Sequence, residues 1–215
     1  MAEDEEIAGQ RGYGLDRTLA LSDGVFAFAI TLLVLDLTVP SLVGSVSNIT
    51  IASALSQELP KFVNYLVSFF VVGIWWNTHR RNFAYIRKDD ATLASQNLLF
   101  LLCIALTPFF TNLLDAYGSI QLPVALFALV QAAGGSLMTL MWWHASRNHK
   151  LISSRMKNGA IRRILIFNSA TPAVFLLSVG LSFFVPTVFV QFSWVLLITV
   201  LRMLRRHGGT NRNIQ

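Results

Sequence analysis

RTLALSDGVFAFAITLLVLDLTV, residues 17–39, decides the class of this fold. From Thr18 to Val39 the stretch is apolar apart from Ser22, Asp23, Thr31, Asp36 and Thr38. At about 1.5 Å per helical residue it reaches across a hydrocarbon core of about 30 Å. A carboxylate at the centre of such a span costs about 2.5–3.5 kcal/mol on insertion scales, so Asp23 must have a reason to be there.

Five more runs of the same kind follow, at residues 61–78, 98–114, 122–143, 164–185 and 187–204. The composition of the 215-residue chain agrees: 54% is hydrophobic and only 13% charged. A soluble domain carries about 25% charge, so a polar skin is missing here. The sequence therefore predicts an all-α, polytopic membrane protein with six transmembrane helices. Pro108, Pro172 and Pro186 are tolerable in or near such spans, because neighbours can satisfy the freed carbonyls. The short break at Pro186 predicts a tight hairpin between runs five and six.

Charge then gives orientation. Sixteen of the 17 lysines and arginines fall before run one, between runs two and three, between four and five, or after six. Only Lys61 lies on the other side. Basic loops stay inside, which predicts a plasma (inner) membrane protein with both termini cytoplasmic. The net charge of +6 is thus topology and contact with anionic lipid, and no nucleic-acid partner is expected. Residues 1–16 form an acidic-to-mixed cytoplasmic segment without a basic leader, so the first run is expected to be retained. Residues 17–206 form the membrane domain, and 207–215 a disordered tail. Residues 40–57 carry no charge and read as an outside loop with a short amphipathic or re-entrant piece at 49–55.

The chemistry-bearing residues crowd run one. With Phe28 as zero at about 100° per residue, Leu21, Gly24, Leu32 and Leu35 fall within about 40° of it, and Thr31 about 60° away. Asp23 lies about 140° away, so it faces neighbouring helices if the Phe28 stripe faces a pathway. There a serine, tryptophan, histidine or arginine would bond it, as a buried packing clamp. At the end of run two, Trp75 and His79 share a face, and His79 is a candidate clamp on Asp23. Trp75, Trp76, Trp142 and Trp143 read as interfacial belts. Asn97, Asn112 and Asn168 read as interhelical hydrogen-bond glue, and Gly134 and Gly135 as points of close helix approach. Asp36, at the outer end of run one, is a pore-mouth candidate. No selectivity-filter sequence, voltage-sensor ladder, phosphate-binding loop or metal-ligand spacing is present, so no enzyme and no cofactor are expected.

The stretch from Arg17 to Ala27 resembles the first-helix signature R-x-x-x-F-S-D of the transmembrane protein 175 family of potassium channels. Ala29 to Leu37, and Trp76-Asn77-Thr78-His79-Arg80-Arg81-Asn82-Phe83, are similar to that family as well. Six spans with one signature resemble its prokaryotic, single-repeat branch. The resemblance implies a potassium-permeable homotetramer, with the first helix of each subunit lining a central pore for monovalent cations. It places the constriction at Phe28, a polar layer at Thr31 and further lining at Leu32 and Leu35. It assigns Arg17, Ser22, Asp23, Trp76 and His79 to the network holding helices one and two together. Two positions depart from the pattern: Leu21 stands for the signature phenylalanine, and Phe28 for an aliphatic residue. The alternative is a secondary transporter or proton-coupled carrier built on Asp23 and His79. Paired broken helices would then be expected, and the second half has few charged span residues.

Overall fold

The computed structural model describes residues 2–42, 44–187, 189–191 and 193–194, without the side chains of residues 2–13 and 36. Five helices carry the fold: α1 (Ala2–Leu32), α2 (Asn48–Phe83), α3 (Ala91–Tyr117), α4 (Gln121–Ser146) and α5 (Asn158–Leu181). All five contain a stretch long and apolar enough to cross a membrane. The protein is a multi-pass, all-α membrane protein. The sixth run begins as helix at Thr187, and Trp194 within it stacks on Phe127 of α4 at 5.1 Å and lies 5.7 Å from Phe175 of α5. The rest of that run, from residue 195, and the predicted tail lie outside the described residues.

Several boundaries differ from those read in the sequence. The first helix is continuous from Ala2, and tightens into a 3-10 turn at Leu33–Asp36 instead of running on to Val39. The predicted outside piece at 49–55 is the first part of α2. Ser47 starts that helix with a capping box: its hydroxyl accepts from the Thr50 amide, while Thr50 Oγ1 accepts from the Ser47 amide. That pairing satisfies two amides that have no partner inside the helix. Pro60 then sits inside α2 without ending it.

The helices pack in a simple order. α4 lies against both α3 and α5, and α1 against α3 and α2. Gly135 makes the tightest crossing. A methyl group built on it would meet Pro172 Cδ and Trp75 Cη2 at 2.9 Å, while one on Gly134 would meet Cys103 Cβ at an ordinary 3.4 Å. The two glycines thus admit α2, α3 and α5 to α4, as close-approach positions do in membrane bundles.

At the end of the bundle where the basic residues gather, the loops are sewn together. Ile86 and Ile152 form an isolated antiparallel bridge. The Arg87 amide donates to the Leu151 carbonyl at 2.8 Å, and the Leu151 amide to the Ala145 carbonyl at 3.0 Å. Asn148 and His149 take left-handed φ of 53° to turn the chain there.

Candidate functional site

α1 has two unlike faces. Ser22, Phe26, Ala29 and Leu33 are fully buried against the rest of the subunit. On the other side Leu21, Gly24, Phe28, Thr31 and Leu35 are exposed, Phe28 by 65% and Leu35 by 69%, and Leu32 lies half-buried at the margin. A stripe of large apolar side chains with no cover from the described residues of its own subunit faces lipid, another subunit or a narrow passage. Thr31 interrupts that stripe. Its hydroxyl proton is within reach of the Phe28 carbonyl (2.9 Å) and the Ala27 carbonyl (3.1 Å). With the proton directed at the backbone, the oxygen is left to present its lone pairs outward.

The buried face holds a three-helix polar bridge. Ser22 Oγ donates to the Thr18 carbonyl at 2.7 Å, so toward Asn97 it can only accept, and Asn97 Nδ2 donates to it at 3.0 Å. That fixes the amide, leaving Asn97 Oδ1 toward His79 Nε2 at 2.8 Å. An amide oxygen only accepts, so Nε2 carries a proton. The imidazole itself stacks on Phe83 (4.2 Å between centroids) and Phe100 (5.7 Å), with Phe26 edge-on at 5.8 Å. Asn97 is the node of this bridge; in the sequence it stands only as one of three asparagines expected to glue helices.

Asp23 and His79 do not bond to one another. Asp23 Oδ1 accepts from Trp76 Nε1 at 2.9 Å, on the exposed side of the α1–α2 contact, and Arg80 lies over the Trp76 ring at 5.1 Å. The wheel separates them for a physical reason: Asp23 lies outside the buried arc of Ser22 and Phe26 that faces the imidazole. Asp23 is exposed within the subunit, not enclosed as expected. Arg17, on the same helix, is also exposed in the subunit. Asp36 closes the 3-10 turn at the other end, and its side chain lies outside the described residues.

Other expectations change as well. Trp75 is no belt residue; it is buried and donates to Gln131 Oε1 at 2.8 Å, and Gln131 Nε2 donates onward to Thr107 at 3.3 Å. Trp142 is likewise wholly buried, with Nε1 on the Ile161 carbonyl at 3.2 Å, while Trp143 stays exposed under Arg147. Asn168 is buried, but neither of its amide atoms has a hydrogen-bond partner. Among the described residues it bonds no other helix.

A second polar cluster, not read from the sequence, sits at the basic end. Asp90 caps α3 by accepting from the Leu93 amide at 2.8 Å, and also accepts from Lys150 Nζ (2.8 Å) and His144 Nε2 (2.9 Å). Burial pushes its carboxyl up, but Lys150, the Leu93 amide and His144 together outweigh that and hold it well below the usual carboxylate range. Its neighbour Asp89 accepts from Thr18 Oγ1 of α1 at 2.8 Å.

Residues 17–108 match the model of a family described as the endosomal/lysosomal potassium channel TMEM175. A potassium channel of Streptomyces collinus is 36% identical over 171 residues, which cover 78% of this chain and 82% of that protein. The endosomal/lysosomal proton channel TMEM175 of Homo sapiens is 26% identical over 202 residues, 92% of this chain and 39% of its own length. The crystal structure of a lysosomal potassium-selective channel TMEM175 homologue from Chamaesiphon minutus is similar to this fold with a TM-score of 0.74 at 28% identity. The similarity covers 88% of this chain and 98% of that one.

Proposed function

The chain belongs to the TMEM175 family of potassium channels, and we propose that four copies of it ring one pathway for potassium and other monovalent cations, lined by α1. The relatives are named as channels, and the activity is ion passage, not catalysis. The observation that carries the tetrameric reading is the uncovered stripe of Leu21, Gly24, Phe28, Thr31 and Leu35 beside a fully buried opposite face. One such stripe cannot enclose a lumen. Closed rotational symmetry brings equivalent stripes together around an axis, which both covers them and makes a tube.

In that arrangement four Phe28 rings form the constriction, an apolar collar that excludes water when narrow. The Thr31 oxygens form a ring of acceptors one turn away, suited to a partly dehydrated cation. Leu32 and Leu35 continue the apolar wall, and Asp36 supplies negative potential at the mouth. Opening is a tilt or rotation of α1 that withdraws the rings. The packing that resists it is the Ser22–Asn97–His79 bridge and the Asp23–Trp76 bond. The basic end faces the cytoplasm, in contact with anionic lipid, in the cell's inner membrane. No cofactor takes part.

Purified protein in planar bilayers tests this. Unitary currents whose reversal follows the potassium gradient are expected, and Phe28→Ala should raise unitary conductance. Unchanged conductance would remove Phe28 from the pathway. Saturating flux coupled to protons, without unitary events, would replace the channel with a carrier. Because the human relative is named a proton channel, a pH gradient belongs in the same experiment. A reversal potential set by protons alone would reassign the permeant ion.

A further inference from the structure

Consecutive aspartates at the basic end reach in opposite directions. Asp90 grips the periphery: the α4 terminus through His144 at 2.9 Å, and the α4–α5 loop through Lys150 at 2.8 Å. Asp89 grips α1 through Thr18 at 2.8 Å, one turn before Ser22. The segment carrying both is stiffened by the Ile86–Ile152 bridge and by the Arg87 and Lys88 amides on the Leu151 carbonyl. A displacement of the α4 terminus is therefore handed to the end of α1 through a single short, braced segment.

Stability alone does not account for Asp89. Its second oxygen, Oδ1, is buried with no hydrogen-bond partner among the described residues. A buried acceptor left unpaired is destabilising, and a carboxylate more so.

We propose that Asp89 and Asp90 form a clasp that positions the inner end of α1, and that His144 makes the hold of this clasp depend on internal pH. Asp90 and Asp89 are positioning residues: neither is on the exposed α1 stripe. The inference rests on α1 lining the pathway. An imidazole is the side chain that ordinarily gains a proton between pH 5 and 8. Neutral His144 offers one hydrogen bond to Asp90; protonated, it adds a full charge at the same distance, and the clasp tightens. Other charged groups stand on the elements meeting here. They are Lys150, Arg147, Arg155 and Lys157 of the α4–α5 connection, Arg87, Lys88 and Asp89 beside Asp90, and Asp16 and Arg17 of α1, while His149 Nε2 lies 3.0 Å from the Met156 carbonyl.

Open probability is measured in bilayers while internal pH is stepped from 8.5 to 5.5. The wild type should change about fivefold, the scale of one charge-assisted hydrogen bond at a partly buried site. Asp90→Asn, which still caps α3, should shift open probability in the direction opposite to acid. His144→Gln should flatten the profile. Thr18→Val should flatten it too, because the clasp remains but no longer holds α1. A flat wild-type profile with potassium currents intact would overturn the clasp and leave the channel standing. So would a pH response that survives His144→Gln or Thr18→Val. If no current appears at all, the channel reading fails instead, and the clasp is read by amide hydrogen exchange in nanodiscs. Exchange over residues 14–22 should be faster in His144→Gln than in wild type at pH 6 and equal at pH 8.5. Equal exchange at both would overturn it.

Discussion

Asn97→Leu is the most informative single change in this molecule. The new side chain keeps the branched shape and loses both polar atoms. Two buried interhelical bonds go: Nδ2 to Ser22 at 3.0 Å and Oδ1 to His79 at 2.8 Å. Within a bilayer such bonds average about 0.6 kcal/mol and reach about 1.7. The group left behind matters more. Ser22 still donates to the Thr18 carbonyl and is left with no unused proton. His79 is only 1% exposed. Its Nε2–H would point at the new leucine, in a pocket walled by Phe26, Phe83 and Phe100, with no acceptor, at about 1–3 kcal/mol. The two effects together come to about 2–3 kcal/mol, or about 5–10 °C of melting temperature for a chain of this size. Apparent melting would be followed by tryptophan fluorescence in detergent at one fixed scan rate. His79→Phe together with Asn97→Leu removes donor and acceptor at once and should recover most of the loss. A double variant as unstable as the two single losses added together would refute the orphaned-donor account. So would an Asn97→Leu protein that melts with the wild type.

Three other outcomes follow from the same geometry. Gly135→Ala should destabilise by about 1–3 kcal/mol, because its methyl would lie 2.9 Å from Pro172 and Trp75, whereas Gly134→Ala, at 3.4 Å from Cys103, should melt nearly as wild type; equal melting would show that the crossing relaxes freely. Gly24→Ala meets no atom within 4 Å in its own subunit. It should therefore gain up to about 1 kcal/mol of helix propensity while lowering unitary conductance, and unaltered conductance would take Gly24 off the pathway. Asp90 has its folded-state pKa depressed, so its contribution is full above the unfolded value near about pH 4 and fades as pH falls through the folded one. Asp90→Asn should lower melting at pH 7 by an amount worth about 1 kcal/mol or less, and the gap should close as pH falls below about 4; a gap that widens below that pH would reverse the sign.

The membrane class and the order of the spans were legible because they rest on sums over twenty residues at a time. The two faces of α1 were legible too, since helical periodicity alone separates Phe28 from Ser22. What escaped the sequence was partnership. Trp75 and Trp142 look like belt residues by position, and only the location of Gln131 and the Ile161 carbonyl turns them inward. Asn97, Asn112 and Asn168 look alike, yet one is a node and another is buried with no partner among the described residues. The long start of α2 did leave a trace, in Ser47 followed three residues later by Thr50, a weak form of the capping box. The Asp89–Asp90 cluster left none, because its partners Thr18, His144 and Lys150 are 71, 54 and 60 residues away.

The bridge through Asn97 also bears on how the protein is made. Helices enter a membrane in the order they are synthesised, and the outer two members of the bridge, Ser22 and His79, belong to the first two. Neither bonds the other directly; each reaches the other only through the third helix. A nascent α1–α2 hairpin therefore carries an imidazole N–H without its native acceptor until Asn97 emerges, some 18 residues after His79. Biogenesis acquires a checkpoint at that moment. Chains stalled or truncated before α3 should remain bound to insertion machinery or be degraded, and those that pass it should be released.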